Sequence, residues 1–154
     1  MILNLLEAEL HRDEGVKYNP YNDTMGIPTV GVGHNLRASP LPAGWTYPLT
    51  DAQVNTLLVS DLQAVFAGLD ARLSWWRSLD EVRQRVIANM AFNMGIGTLL
   101  GFPRMLAALQ GGNYAGAAAQ MQASAWYTQV GQRAVRLCQA MATGVMPDEP
   151  APTA

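Results

Sequence analysis

The chain has 154 residues, 49% of them hydrophobic and 14% charged, with a formal net charge of -2. That balance fits one compact, ordered domain and excludes a disordered or fibrous chain; ten basic residues against twelve acids give no pull toward nucleic acid or an anionic membrane. The lone cysteine, Cys138, excludes an internal disulfide and reads as a buried, inert thiol on a helix; no apolar run reaches the ~18 residues of a membrane span, and MILNLLEAELHRDEG has early acids where a secretory signal is basic, which predicts folding in a cytoplasm.

In chain order, Ile2, Leu3, Leu6 and Leu10 recur at spacings of three and four and predict a helix over 2–12, with Glu14 just past its end. From 18 to 34 the pattern changes to tyrosines, turn residues and the alternation Thr29-Val30-Gly31-Val32-Gly33, a small antiparallel hairpin or three-stranded meander. Residues 37–49, with three prolines, are a loop.

Thr50 and Gln53 then form a capping box with Asp51 in the first turn. The helix they open has the apolar stripe Val54, Leu57, Leu58, Leu62, Val65, Phe66 and Leu69. Asp61 lies on that stripe, where a carboxylate needs a partner. Ser78 and Glu81 make a second capping box before VIANMAFNM, 86–94, which is apolar nearly all round and predicts a central buried helix ended by Gly95. After the loop GIGTLLGFP come a short helix over 104–110, a Gly-Gly break, an alanine-rich helix capped by Asn113, and a last helix from about 131 to 143. The arginines are scattered, the usual sign of solvated helix faces. The fold class is α+β, mainly α: one catalytic-type domain over 1–146, with a small lobe about 13–60 and a helical lobe about 72–146 plus the N-terminal helix. The tail 147–154, PDEPAPTA, is expected to be disordered.

Two acids stand out. Glu14 and Asp23 are nine residues apart, which a helix would spread over about 13 Å of axis. Turn residues between and after them let the chain face the two carboxyl groups across a cleft. A pair of that kind suits glycoside cleavage, which needs a proton donor for the leaving oxygen and a second carboxylate to activate water or attack the sugar. The two histidines, His11 and His34, are far apart with no cysteine pair near them, so no metal site and no cofactor are implied.

The order Glu14, Asp23, Thr29, His34 within D-E-G, N-D-T-x-G and T-V-G-V-G-H resembles the phage-type lysozymes or endolysins, the glycoside hydrolase family of T-even phage lysozyme. NMAFNMG, GFPRML and SAWYTQVGQRAVR look like later segments of that family in the same order, and the likeness covers most of the chain. It implies a lysozyme-like fold and hydrolysis of the β-1,4 bond between N-acetylmuramic acid and N-acetylglucosamine in peptidoglycan. By the resemblance Glu14 is the general acid and Asp23 the general base, with Thr29 holding the water. The inverting form needs the carboxyl groups about 6.5 to 9.5 Å apart. The resemblance also assigns a His34–Asp61 ion pair between sheet and long helix, Arg133 beside Glu14, and Gly33, Phe92, Asn93 and Gln120 along a sugar groove; Trp126 is assigned to packing. It implies a monomer whose partner is the glycan strand, released from a host cytoplasm through a holin, with no nucleic acid and no stable membrane insertion.

Three departures stand beside the likeness: a short proline-bearing loop after the sheet, Asn93 where the family has glutamine, and an acidic net charge. A lytic transglycosylase or a non-catalytic wall-binding or structural phage protein is the alternative reading. The Asp23–Thr29 pair speaks against the first, and retention of Glu14, Asp23 and Thr29 together against the second.

Overall fold

The computed structural model of the chain describes residues 1–153. Helix α1, Leu3–Glu14, runs two residues past the end its apolar spacing predicts, so Glu14 is its last residue rather than the first beyond it. Gly15, at φ 72°, then turns the chain toward the sheet. Strands β1 (Lys17–Asn22), β2 (Pro28–Gly31) and β3 (His34–Asn35) form an antiparallel meander in the order β1-β2-β3. Tyr21 pairs with Thr29 and Lys17 with Gly31, and the register slips between those pairs, where Pro20 has no N–H for the ladder.

The Thr50–Gln53 capping box is present in both directions and opens α2, Asp51–Arg72. Val54, Leu57, Leu58, Leu62 and Leu69 are buried along it, while Val65 and Phe66 are half-buried. Val54 and Leu57 pack under Gly31 of β2, so the helix begins beneath the sheet and carries the chain away from it. The next cap differs from the expected one. Asp80, not Ser78, accepts the Arg83 N–H and caps α3, Glu81–Met94. Ser78 ends a single 3-10 turn, Trp76–Ser78, and its hydroxyl donates to the Trp75 carbonyl. Two cap-forming residues lie two apart here, and the 3-10 turn uses up the first.

Helix α3 is the central element, buried continuously from Arg83 to Ala91, and Gly95 ends it. Part of the expected loop after it winds into α4, Ile96–Leu99. Helix α5, Pro103–Gln110, starts on a proline whose missing N–H costs nothing in a first turn. Asn113 caps α6, Tyr114–Gln122, and Ser124 caps α7, Ala125–Val130, a helix too short to show a period in the sequence. Helix α8, Gln132–Thr143, closes the bundle. Cys138 is buried, its thiol donates to the Ala118 carbonyl, and burial pushes its pKa up, away from reactivity. No described helix is long and apolar enough to cross a membrane.

Two expectations are corrected. Arg83, Arg85 and Arg133 are not on solvated faces but buried. Each has fixed acceptors, though Arg133 keeps one buried nitrogen, Nη2, without a partner among the described residues; Arg83 donates to Asp80 and to the Met141 and Ala142 carbonyls at the end of α8, and stacks on Tyr114 with its guanidinium carbon 3.4 Å from the ring centroid. Arg85 holds Glu9 of α1, Glu81 of its own helix and Glu149 of the tail. The second correction is that tail, which through Thr153 lies along α1 instead of trailing free. Arg12 donates to the Asp148 carbonyl at 2.7 Å, and Thr153 bonds the Asn4 carbonyl and the Glu7 carboxylate. A segment too polar to make a core has found hydrogen-bonding partners on a helix instead; Ala154 lies outside the described residues.

One arginine shared among three carboxylates leaves Glu9 poorly compensated. Its second oxygen is buried with no partner among the described residues, and burial outweighs the attraction of Arg85, pushing its pKa from 4.5 up to about 7. A carboxyl that binds its proton more tightly when folded stabilises the fold below 4.5 and loses that contribution as pH rises to about 7. Denaturant unfolding of Glu9→Gln is therefore expected to match the parent near pH 4.5 and to show the more stable protein at pH 7 to 8. Equal stability at neutral pH would contradict the raised value.

Candidate active site

Glu14 owes its position to the end of α1. Two acids, Asp13 and Glu14, close that helix, where the backbone dipole already concentrates negative charge, and the fold offsets them with arginines. Arg133 of α8 donates from Nη1 to Glu14 Oε1 at 2.6 Å and from Nε to Asn89 Oδ1 at 2.9 Å. The Asn89 amide donates in turn to Asp13, whose side chain is 1% exposed and also takes Arg136 at 2.8 Å. Helices α1, α3 and α8 thus meet in one charged knot, and Glu14 is the acid of the two that reaches its surface, at 23% exposure against 1% for Asp13. The other oxygen, Oε2, lies against Gly33: a Cβ built on that glycine would stand 3.1 Å from it. With φ at 66° as well, position 33 has room and backbone geometry for glycine alone.

Asp23 is set by a different device. It opens a tight turn between β1 and β2 in which its N–H donates to the Ile27 carbonyl, while its own Oδ1 accepts from the Met25 and Ile27 N–H groups at 2.8 and 2.9 Å. Two backbone donors fix one carboxylate oxygen and leave Oδ2 free of them. Thr29, 4% exposed, donates its hydroxyl proton to the Ile27 carbonyl at 2.8 Å, so its lone pairs remain to accept from a molecule in front of it.

These groups share one cavity of about 490 Å³, lined by Glu14, Asp23, Thr29, Gly33, Phe92 and Asn93, with Tyr21, Asn22, Thr24 and Met25 completing the sheet side. The Asn93 side chain is oriented by Trp126, whose indole N–H donates to Asn93 Oδ1 at 2.8 Å, leaving the amide N–H pair for a ligand. Trp126 therefore aims a polar group in addition to packing. Gln120 is not in this cavity; it is exposed and lines a separate one of about 370 Å³ with Arg104 and Ser124. Tyr21, Asp13 and Asn89 were not singled out in the sequence. Only Asp13 carried a signal there, as a second acid at a helix end.

His34 of β3 is buried at 3% exposure. Its Nδ1 is 2.8 Å from Asp61 Oδ2 on α2, and its Nε2 is 2.7 Å from the Ser39 carbonyl. A carbonyl only accepts, so Nε2 carries a proton, and the carboxylate asks for a second on Nδ1. The hydrogen bond to Asp61 accordingly raises the His34 pKa above its ordinary 6.5, against the opposing effect of burial. Sheet and long helix are joined there, beneath the cavity wall that Gly33 shares. Among the described residues no cluster of His, Cys, Asp and Glu is arranged to hold a metal ion.

The phage lysozyme family matches residues 11–140. The chain is 30% identical to the pre-baseplate central spike protein Gp5 of Enterobacteria phage T4 over 92% of its own length, but spans only 28% of that protein. It is 27% identical to "Probable T4-type lysozyme 1" of Dictyostelium discoideum, covering 94% of this chain and 98% of the relative. It is 33% identical to the SAR-endolysin of Escherichia phage Mu, covering 70% of this chain and 58% of the relative.

Because its folded pKa is raised, His34 contributes stability that is full below 6.5 and lost as pH rises through the elevated folded value. Asp61→Asn is expected to bring the His34 titration, followed by proton NMR, back down, and to cost about 1 to 2 kcal/mol at pH 5, less than a fully buried pair because Asp61 is 25% exposed. The cost should shrink at pH 9, and a His34 titration unmoved by the substitution would refute the coupling.

Proposed function

The chain belongs to the phage lysozyme family, and from that premise we propose that it hydrolyses the β-1,4 bond between N-acetylmuramic acid and N-acetylglucosamine of bacterial peptidoglycan. The observation that carries this reading is the shared cavity: a carboxyl at a helix end and a second one in a turn both line it, with a threonine hydroxyl free to accept beside them. Glu14 delivers a proton to the leaving glycosidic oxygen from Oε2, the oxygen beside Gly33, since Arg133 occupies Oε1. Asp23, its Oδ1 held by two N–H groups, takes a proton from water through Oδ2, while Thr29 accepts the other water hydrogen. Attack from the face opposite the leaving group inverts the anomeric centre.

The face of Phe92 and the Asn93 amide supply stacking and hydrogen bonds to the glycan along the same wall. Gln120 would serve only a strand long enough to reach the neighbouring cavity. In a lysis role the enzyme is a monomer that reaches the wall from a host cytoplasm once a holin has opened the membrane. The spike-protein match favours a second reading, in which the same domain works within a phage particle.

Turbidity loss on purified peptidoglycan, with Glu14→Gln as control, tests the chemistry. The variant is expected to lose activity by about a thousandfold, the scale of a missing general acid. Fresh product should carry a new reducing end as the α anomer. An anhydro product would indicate a lytic transglycosylase, a β anomer would make Asp23 a nucleophile, and undiminished activity in Glu14→Gln would reject the assignment of the acid.

A further inference from the structure

Tyr21 sits at the centre of the sheet side of the cavity. On β1 it pairs directly with Thr29 of β2, so the two side chains stand next to each other on the face that Glu14 and Asp23 also line. The neighbouring tyrosine is spent: the Tyr18 hydroxyl donates to Asp51 at 2.6 Å. The Tyr21 hydroxyl has no such partner among the described residues, although its ring is partly buried. Oδ1 of Asp23 is engaged by two backbone N–H groups and Oε1 of Glu14 by Arg133, and no hydrogen bond joins Tyr21 to the two oxygens left over, Oδ2 of Asp23 and Oε2 of Glu14. A phenol O–H without a protein partner on a cavity wall needs an acceptor when a ligand displaces solvent from it.

We propose that Tyr21 is a third working side chain of this site, its phenol donating a hydrogen bond to an oxygen of the sugar that lies between Glu14 and Asp23. The inference rests on the glycoside hydrolase reading and adds a substrate contact to it. The group acts as a donor and not as a base. Burial and then the negative charges of Glu14 and Asp23 push its pKa above the ordinary 10, so it keeps its proton throughout the working range. The sugar between the carboxyl groups is the one whose shape and charge change during cleavage, and hydrogen bonds to that ring strengthen in the transition state. The contact should therefore appear in kcat and not in KM.

The test compares parent, Tyr21→Phe and Glu14→Gln on soluble peptidoglycan glycan fragments. Tyr21→Phe is expected to lower kcat about tenfold, the worth of one hydrogen bond made in the transition state, with KM and thermal midpoint unchanged. A Tyr21→Phe enzyme with full kcat, beside an active parent and a dead Glu14→Gln, overturns the role of Tyr21 alone. An inactive parent overturns the hydrolase reading and this inference with it. A second readout is independent of turnover: with 13C-labelled tyrosine, the Tyr21 phenol should titrate above 10 and fall back in both Glu14→Gln and Asp23→Asn. A titration unmoved in both variants overturns the placement of the hydroxyl between the two acids.

Discussion

Everything in this molecule turns on a helix that ends in the wrong charges. Asp13 and Glu14 close α1, where the dipole and the last unpaired carbonyls already repel anions. The sequence could have relieved that by neutral residues; it uses arginines from a helix more than a hundred residues later. Arg133 and Arg136 of α8 reach back to both acids, with Asn89 of the central helix bridging Asp13 and Arg133. The repulsion that would fray α1 is converted into a three-helix junction. Because the junction is buried on the Asp13 side and open on the Glu14 side, one acid becomes structural and its neighbour is left facing the cavity.

The opposite wall follows another logic. A short sheet has no core of its own, and here it borrows one: Val30 and Val32 are buried, Gly31 sits on Val54 and Leu57 of α2, and His34 is pinned to Asp61 of the same helix. That leaves the β1–β2 turn free to specialise. Its geometry is set by hydrogen bonds from its own backbone to Asp23 and by Thr29 returning a proton to Ile27, a self-contained unit. One acid is thus fixed by long-range ion pairing and the other by local turn chemistry, and the central contact between the two systems is the backbone of Gly33 against Glu14. On the function proposed above, walls built independently in this way keep the two carboxyl groups aligned without relying on the substrate to assemble them.

How far the sequence could be read divides along the same line. Local signals were legible: the Thr50–Gln53 box, the apolar stripe of α2, the turn residues of the meander and the glycine stops each act within a few residues. The burial of Arg83 and Arg85 was not legible, because scatter along a chain looks the same whether the side chains end in water or on Asp80 and Glu9, whereas Arg133 beside Glu14 came from the family likeness and not from the pattern. Ser78 and Asp80 competed for one cap, and only the 3-10 turn before α3 decides between them. Of the four residues that carried the family likeness, Glu14, Asp23 and Thr29 share a cavity with Gly33, Phe92 and Asn93, while His34 is buried outside its lining and Gln120 lies apart. Tyr21 escaped notice since a tyrosine in a strand is ordinary, and its significance comes from the register that sets it opposite Thr29.

The buried arginines also bear on how the protein meets a charged surface. A formal charge of -2 counts every arginine alike, yet Arg83, Arg85 and Arg133 are enclosed and paired with acids or carbonyls, so they project little field into solvent. Several of the acids they neutralise, including Asp13 and Glu9, are enclosed with them. The charge left outside has no excess of cations to draw the molecule toward an anionic polymer. On the function proposed above, association with a glycan strand comes from the cavity itself, through Phe92, the Asn93 amide that Trp126 aims and the polar rim of the β1–β2 turn. Contacts of that sort are short-ranged and little screened by salt, so on the same proposal a chain that devotes its arginines to holding α1 in place relies on recognition by shape and hydrogen bonding instead of electrostatic capture.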